Sequence, residues 1–182
     1  MPIDAAVLAV FLETENKALA QFASGYVLSR QYRHGWAWVG GLEKTDWSVI
    51  QISQFLSYLP PTGEVWNRTT ALLGESEREY WSRIGANPYQ TDGDIRPAID
   101  KLIKDGRPHA AINCLNRILH DKHPLNKSQS VKALLAAMSS AEPSYAMDTY
   151  HILEVIKALQ DDSGTDPGDL FQVEWAYLPL LD

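Results

Sequence analysis

Residues 94–121 read DIRPAIDKLIKDGRPHAAINCLNRILHD, and this stretch decides the fold. Ile95, Ile99, Leu102 and Ile103 fall at i, i+4, i+7 and i+8, which places them on one face of an α-helix. Ala111, Cys114, Leu115, Ile118 and Leu119 repeat that spacing in a second helix. Asp105-Gly106-Arg107-Pro108 joins the two. Gly106 can close the first helix in a left-handed conformation, and Pro108 can begin the second because a first-turn residue needs no N–H partner. A link this short folds the helices back antiparallel.

The same punctuation is found on either side. Asp4 is placed to cap a first helix running to residue 32, with Leu8, Phe11, Leu12, Leu19, Phe22 and Tyr26 on or near one face and Gly35 as its stop. A break at residues 14–16 is the alternative, since Glu15 interrupts the stripe. The glycines of 35–41 predict a loop or a short extended piece. Thr45 and Asp46 then cap a helix through Leu59, which Pro60-Pro61 ends. A further helix runs from Gly63 to Leu73 and stops at Gly74, and 75–84 forms another with an acidic first turn. Residues 87–93 have the composition of a loop, giving subdomains 1–86 and 92–182 within one continuous helical unit.

Beyond the hairpin, Ser128 precedes a helix carrying Val131, Leu134, Leu135 and Met138. The helix after it, from Pro143, has Ile152, Val155, Ile156 and Leu159 on one face and Met147, Tyr150 and Leu153 on another, so cover from two sides is expected. An acidic connector, 161–168, leads to a last helix that is apolar on more than one face. The predicted class is all-α: stacked antiparallel hairpins in an α-solenoid-like array, or an irregular bundle.

The hairpin resembles tetratricopeptide-like repeats at Gly106 in the turn, Ala111 where the helices cross, Leu115 one turn later and Leu102 in the first helix. It departs from them at Ile99, where that pattern has glycine, at Ile118, where it has alanine, and at His123, where it has the closing proline. With a period of about 34 residues Ala111 projects onto Tyr145 and Gly106 onto Ser140, so the motif does not recur. The resemblance covers one hairpin and implies a surface for a peptide or protein partner. The apolar ending around Glu174-Trp175 and Leu178-Pro179-Leu180-Leu181 looks like endings in large uncharacterised bacterial helical proteins, which implies a scaffold segment.

Bulk properties narrow the function. The 182 residues are 45% apolar, enough for a packed core, and the net charge is −7. Up to residue 91 there are 7 basic against 9 acidic residues, and beyond it 9 against 14. Both halves are acidic, which disfavours a general phosphate-binding surface. A single cysteine, Cys114, excludes an internal disulfide and a Cys-rich zinc module, and its place on the stripe marks it as core. The start lacks the basic region of a signal peptide, and no apolar run reaches the roughly 20 residues of a membrane span, so the expectation is a cytoplasmic protein without a membrane partner. The apolar end, 171–181, is expected to be covered by a missing domain of a longer parent chain or by a protein partner.

Candidate sites are few. Arg30, Arg33 and His34 interleave with Tyr32, Trp36 and Trp38 and could contact single-stranded nucleic acid or an acidic peptide, while Trp175 and Tyr177 mark the apolar end as a second interaction candidate. His120 and His123 share a helix face but lack a further ligand pair, and the favoured reading is solvated histidines near a helix C-terminus. The connector 161–169 has oxygen-bearing residues at alternate positions, yet Asp166 and Gln172 stand where a calcium loop has glycine and glutamate. Glu77, Glu79, Tyr80, Arg83, Tyr89, Asp92 and Asp94 could form a small catalytic fragment around 77–94, but no nucleophile elbow, phosphate loop or metal motif accompanies them, and an Arg83–Glu79 pair at i, i+4 explains the same residues. No cofactor or metal is expected. The favoured function is a non-catalytic scaffold or protein-interaction module of a larger protein, ahead of a nucleic-acid module using 30–38 and of the catalytic fragment.

Overall fold

Several helices of this protein start where the side-chain oxygen of Asn16, Ser48, Asn126 or Asp166 meets their first unpaired amides, and those capping residues divide the chain. The computed structural model describes residues 2–85 and 93–181, and no strand occurs among them. The chain is all-α and falls into two compact units, Met1–Gly85 and Ala86–Asp182.

The first unit contains α1 (Pro2–Leu12), α2 (Lys17–Gly41), α3 (Val49–Ser57), α4 (Gly63–Leu73), a 3-10 turn (Gly74–Glu77) and α5 (Arg78–Trp81). Asn16 separates α1 from α2 by accepting the N–H groups of Ala18 and Leu19 at 3.0 and 3.3 Å. The break at 14–16 is therefore realised. Asp4 lies within the first turn of α1 and not at its cap. Nor does Gly35 stop α2: with φ 63° and ψ −161° it bends the helix, which resumes over the supposed loop 36–41. Trp38 and Val39 are buried in that second segment, and Lys44 closes it by donating from Nζ to the carbonyls of Val39 and Leu42 at 2.8 and 2.7 Å. Burial of two large side chains outweighs the helix-breaking tendency of the flanking glycines, so no strand forms there.

Ser48, and not Thr45 or Asp46, caps α3, in a box where Ser48 Oγ takes the Gln51 N–H and Gln51 Oε1 takes the Ser48 N–H. Gln51 Nε2 also donates to the Ala9 carbonyl at 3.0 Å, tying α3 to α1. The predicted helix over 75–84 is shorter, a 3-10 turn followed by one helical turn. The unit closes over Leu8, Val27, Trp38, Phe55, Leu56, Tyr80 and Trp81, with ring contacts from Phe55 to both Trp38 and Trp47.

The second unit contains α6 (Arg96–Lys104), α7 (Pro108–His120), α8 (Lys127–Met138), α9 (Ala146–Asp161) and α10 (Pro167–Leu181). At the α6–α7 turn Gly106 has φ 78°, the Arg107 N–H reaches the Leu102 carbonyl at 2.8 Å, and the Gly106 N–H reaches that of Ile103 at 3.2 Å. This is a left-handed closure that satisfies two orphan carbonyls. Ile99, Ala111 and Leu115 are fully buried. Helix α7 packs against α6, α8 and α9, and its buried surface includes Ile112 as well as Ala111, Cys114, Leu115 and Ile118 of the predicted stripe, whose Leu119 is half-buried.

Asn126 caps α8 by accepting the Gln129 N–H at 3.2 Å, two residues before Ser128. The start of α9 is later than Pro143, at Ala146, where Asp148 turns back to accept the Tyr145 N–H at 2.7 Å. The first face of α9 is covered, with Ile152, Val155, Ile156 and Leu159 buried; on the second, Leu153 is half-buried while Met147 and Tyr150 are exposed. Helix α10 packs on α8 and α9.

Candidate functional site

Each residue of a helix turns the side chain by about 100°, so Val173 and Tyr177 share one face of α10 while Phe171, Trp175 and Leu178 share the opposite one. The first two are buried. The other three are 62%, 69% and 48% exposed, and the Phe171 and Trp175 rings stack with centroids 6.1 Å apart. Such a row leaves apolar area in water that about 25 cal/mol per Å² would favour covering.

The surroundings of this row are acidic. Residues 146–181 hold seven carboxylates, all but the buried Asp148 at least partly exposed, against one lysine, Lys157, whose Nζ lies 3.0 Å from Glu154, and one histidine, His151. Glu174, next to Trp175, accepts from Gln160 Nε2 at 2.8 Å. Asp166 accepts the N–H groups of Gly168 and Asp169 at 2.9 and 3.0 Å and so caps α10. The Gly164 N–H, followed by Lys127 at 3.0 Å, holds the Asp162 carboxyl below the usual range. These bonds make 161–168 a capped connector, and among the described residues no group of three metal-ligating side chains occurs.

Tyr177 lies on the inner face of the same helix. Its hydroxyl donates to the Leu134 carbonyl at 2.7 Å, and burial pushes the phenol up to about 12. Trp175 therefore offers surface, whereas Tyr177 fastens α10 to α8.

The basic and aromatic segment of the first unit is divided in a similar way. Trp38 is buried, and its Nε1 donates to Asp4 Oδ2 at 3.2 Å. Tyr26 donates its hydroxyl proton to Asp4 Oδ1 at 3.0 Å, and Arg30 reaches both Tyr26 Oη at 3.0 Å and Asp4 at 3.4 Å. The Trp38 hydrogen bond, with smaller help from Tyr26 and Arg30, lowers the Asp4 pKa against the opposing effect of desolvation. Arg30 Nη1 also lies 3.3 Å from His34 Nε2. Trp36 is half-buried beneath Arg68, whose guanidinium carbon sits 4.9 Å from the ring centre. Tyr32, Arg33 and His34 remain at the surface. Beside them, between α1 and α2, Val7, Leu8, Phe11, Phe22, Ala23 and Tyr26 line an apolar groove of about 190 Å³ with Asp4 at its end.

Residues absent from the sequence-based candidates form a polar cleft of about 310 Å³ in the second unit, where His109, Glu142, Ser144, Asp148 and Thr149 meet. Glu142 Oε2 accepts the His109 N–H at 2.7 Å and the Ala110 N–H at 3.4 Å, while Oε1 takes Arg107 Nε at 3.1 Å. His109 Nδ1 lies 3.9 Å from Asp148 Oδ2, the oxygen already engaged by Tyr145. Both carboxylates thus serve as helix caps. A signal did exist: Arg107, at the N-cap of α7, supplies no capping side chain, so the first amides of α7 needed a remote acceptor.

A second cleft in this unit, of about 390 Å³, is lined by Asp94, Arg96, Arg117, Asp121 and His123. Its charges are paired locally, Arg96 with Asp94 at 3.4 Å and Arg117 with Asp121 at 2.5 Å. His120 and His123 are exposed, the former 3.4 Å from Asp121. In the first unit Glu79 and Arg83 pair at 3.2 Å on the surface, Glu77 accepts from Thr70, and Tyr80 is fully buried. Asp94 belongs to the other unit, and Tyr89 and Asp92 lie outside the described residues. Cys114 is buried, which pushes its thiol up to about 12.

No helix among the described residues is long and apolar enough to cross a membrane. The chain matches no protein-family model, no curated protein and no solved structure.

Proposed function

We propose that this chain is a non-catalytic helical scaffold module of a larger cytoplasmic protein, and that it binds another protein through the outward face of α10. The observation that carries the reading is the row Phe171, Trp175 and Leu178, three large apolar side chains exposed at i, i+4 and i+7 on a helix that buries Val173 and Tyr177 on its other face. The capping and pairing roles of Glu142, Asp148, Glu79 and Arg83 support recognition over chemistry. The α6–α7 hairpin, closed by Gly106, supports likening the second unit to helical-hairpin repeats, whose exposed faces serve as docking surfaces.

The test is capture with the full chain as bait, compared with Phe171→Ala/Trp175→Ala and with Tyr32→Ala. Proteins retained by the wild type and Tyr32→Ala and lost with the double variant are the expected result. An identical set from all three baits would reject α10 as the docking face. Salt-sensitive retention of nucleic acid, lost with Arg33→Ala, would reject the protein-binding reading in favour of a nucleic-acid module.

A further inference from the structure

We infer that the occupant of the α10 face is a basic amphipathic helix from another protein. This rests on the reading of that face as a docking surface and adds the chemistry of the partner. From residue 171 to 178 the row rises about 10 Å, two helical turns, and it is a bare stripe rather than a pit. A stripe of that length suits a second helix laid along it, contributing its own apolar residues at i, i+3, i+4 and i+7.

The charge around the stripe selects among such helices. Apart from Lys157, which is paired with Glu154, every ionisable side chain contributed by 146–181 that carries full charge at neutral pH is acidic. Glu174 stands one residue from Trp175, and Asp166 and Asp169 stand at the end of the helix beyond Phe171. A second copy seated on the stripe would bring the same carboxylates together between two chains of charge −7. Anionic lipid and nucleic acid meet the same repulsion. A helix with a leucine-like face and lysine or arginine flanks gains from both features: its apolar face covers Phe171, Trp175 and Leu178, and its flank answers Glu174, which lies about 60° around α10 from Phe171.

The experiment titrates the full chain with three labelled peptides of about five helical turns, followed by fluorescence anisotropy. One has leucines on one face and lysines on the other, one replaces the lysines with glutamates, and one replaces the leucines with serines. The Leu/Lys peptide is expected to bind, with affinity falling about tenfold or more between roughly 0.05 and 0.5 M salt. Trp175→Ala should weaken it at least as much, and Glu174→Gln a few-fold, each with unchanged helical circular dichroism. The Phe22→Ala variant, altered only in the first unit, should bind as the wild type does.

Equal binding of the Leu/Lys and Leu/Glu peptides, both lost with Trp175→Ala, would overturn the basic partner while leaving α10 as the docking face. Equal binding of the Lys/Ser peptide would show charge attraction without docking and overturn the inference. Dimerisation of the unliganded chain in sedimentation, abolished by Trp175→Ala, would assign the face to a second copy instead. Binding of no peptide, with Trp175→Ala also silent in capture, would remove both the partner and the docking face.

Discussion

Glu142 caps a helix that ended more than twenty residues before it: its carboxylate accepts the backbone N–H of His109 at 2.7 Å, across a separation of 33 residues. The same side chain reaches the Ala110 N–H and Arg107 Nε, so it serves the exposed amides of α7 and the cation preceding them together. A carboxylate here also complements the positive end of the helix dipole. The α8–α9 connection is thereby locked to the start of the central helix.

Glu142→Ala is expected to lower the stability of the second unit by about 1–2 kcal/mol, since it removes a cap and strands amides that are partly shielded from water. Glu142→Gln keeps an acceptor and should lose less. Urea unfolding, with hydrogen exchange at the His109 and Ala110 amides, reads both. Unchanged exchange at these amides in the alanine variant would show that Glu142 is not their cap.

Gly106 and Lys122 occupy equivalent places at the ends of α6 and α7. Lys122 has φ 60°, its N–H bonds the Leu119 carbonyl at 2.9 Å, and the His123 N–H bonds that of Ile118 at 3.0 Å, which reproduces the closure at Gly106. One site has the residue that this backbone favours and the other does not. Gly106→Ala should therefore cost about 1 kcal/mol, and Lys122→Gly should gain about 0.5–1 kcal/mol. Because the side chain of Lys122 is exposed, little packing is lost with it. Shifts of the same sign in the two unfolding midpoints would contradict this account.

The hairpin was legible because everything that specifies it is local: the stripe of Ile99 and Leu102, the turn glycine and the proline after it lie within a few residues of one another. What escaped depends on distant partners. A glycine-rich 35–41 reads as loop until Trp38 is known to find Asp4, and Asp4 itself reads as a cap until Tyr26, Arg30 and Trp38 surround it. Helix α10 reads as apolar on several faces, and only its packing on α8 shows that Tyr177 is the inner residue and Trp175 the outer. Glu142 had no local role at all.

The Asp4 cluster makes the first unit sensitive to acid. Its folded pKa lies below that of an unfolded aspartate, chiefly through the Trp38 hydrogen bond. A depressed carboxylate contributes stability that is present above the unfolded value of about 3.9 and is lost as pH falls through the folded value. Tryptophan fluorescence during urea unfolding should show the unit weakening from about pH 5 downward, with Asp4→Asn weaker at neutral pH and less dependent on pH over that range. A slope identical to that of the wild type would remove Asp4 from this role.

Tyr177 gives the alkaline counterpart in the second unit. Burial raises its folded phenol to about 12, whereas an unfolded tyrosine titrates near 10. The raised group contributes stability that is complete below about pH 10 and is lost as pH climbs toward the folded value. Tyr177→Phe should cost about 1 kcal/mol at neutral pH by deleting the bond to the Leu134 carbonyl, and should flatten the decline of this unit above about pH 10. Trp175→Ala, two residues away on the opposite face, should leave stability within about 0.5 kcal/mol at either pH, because its ring covers nothing in the core. If Trp175→Ala were instead the more destabilising of the two, the outward face of α10 would be part of the packing that holds the unit together, and it would no longer be free to receive a partner.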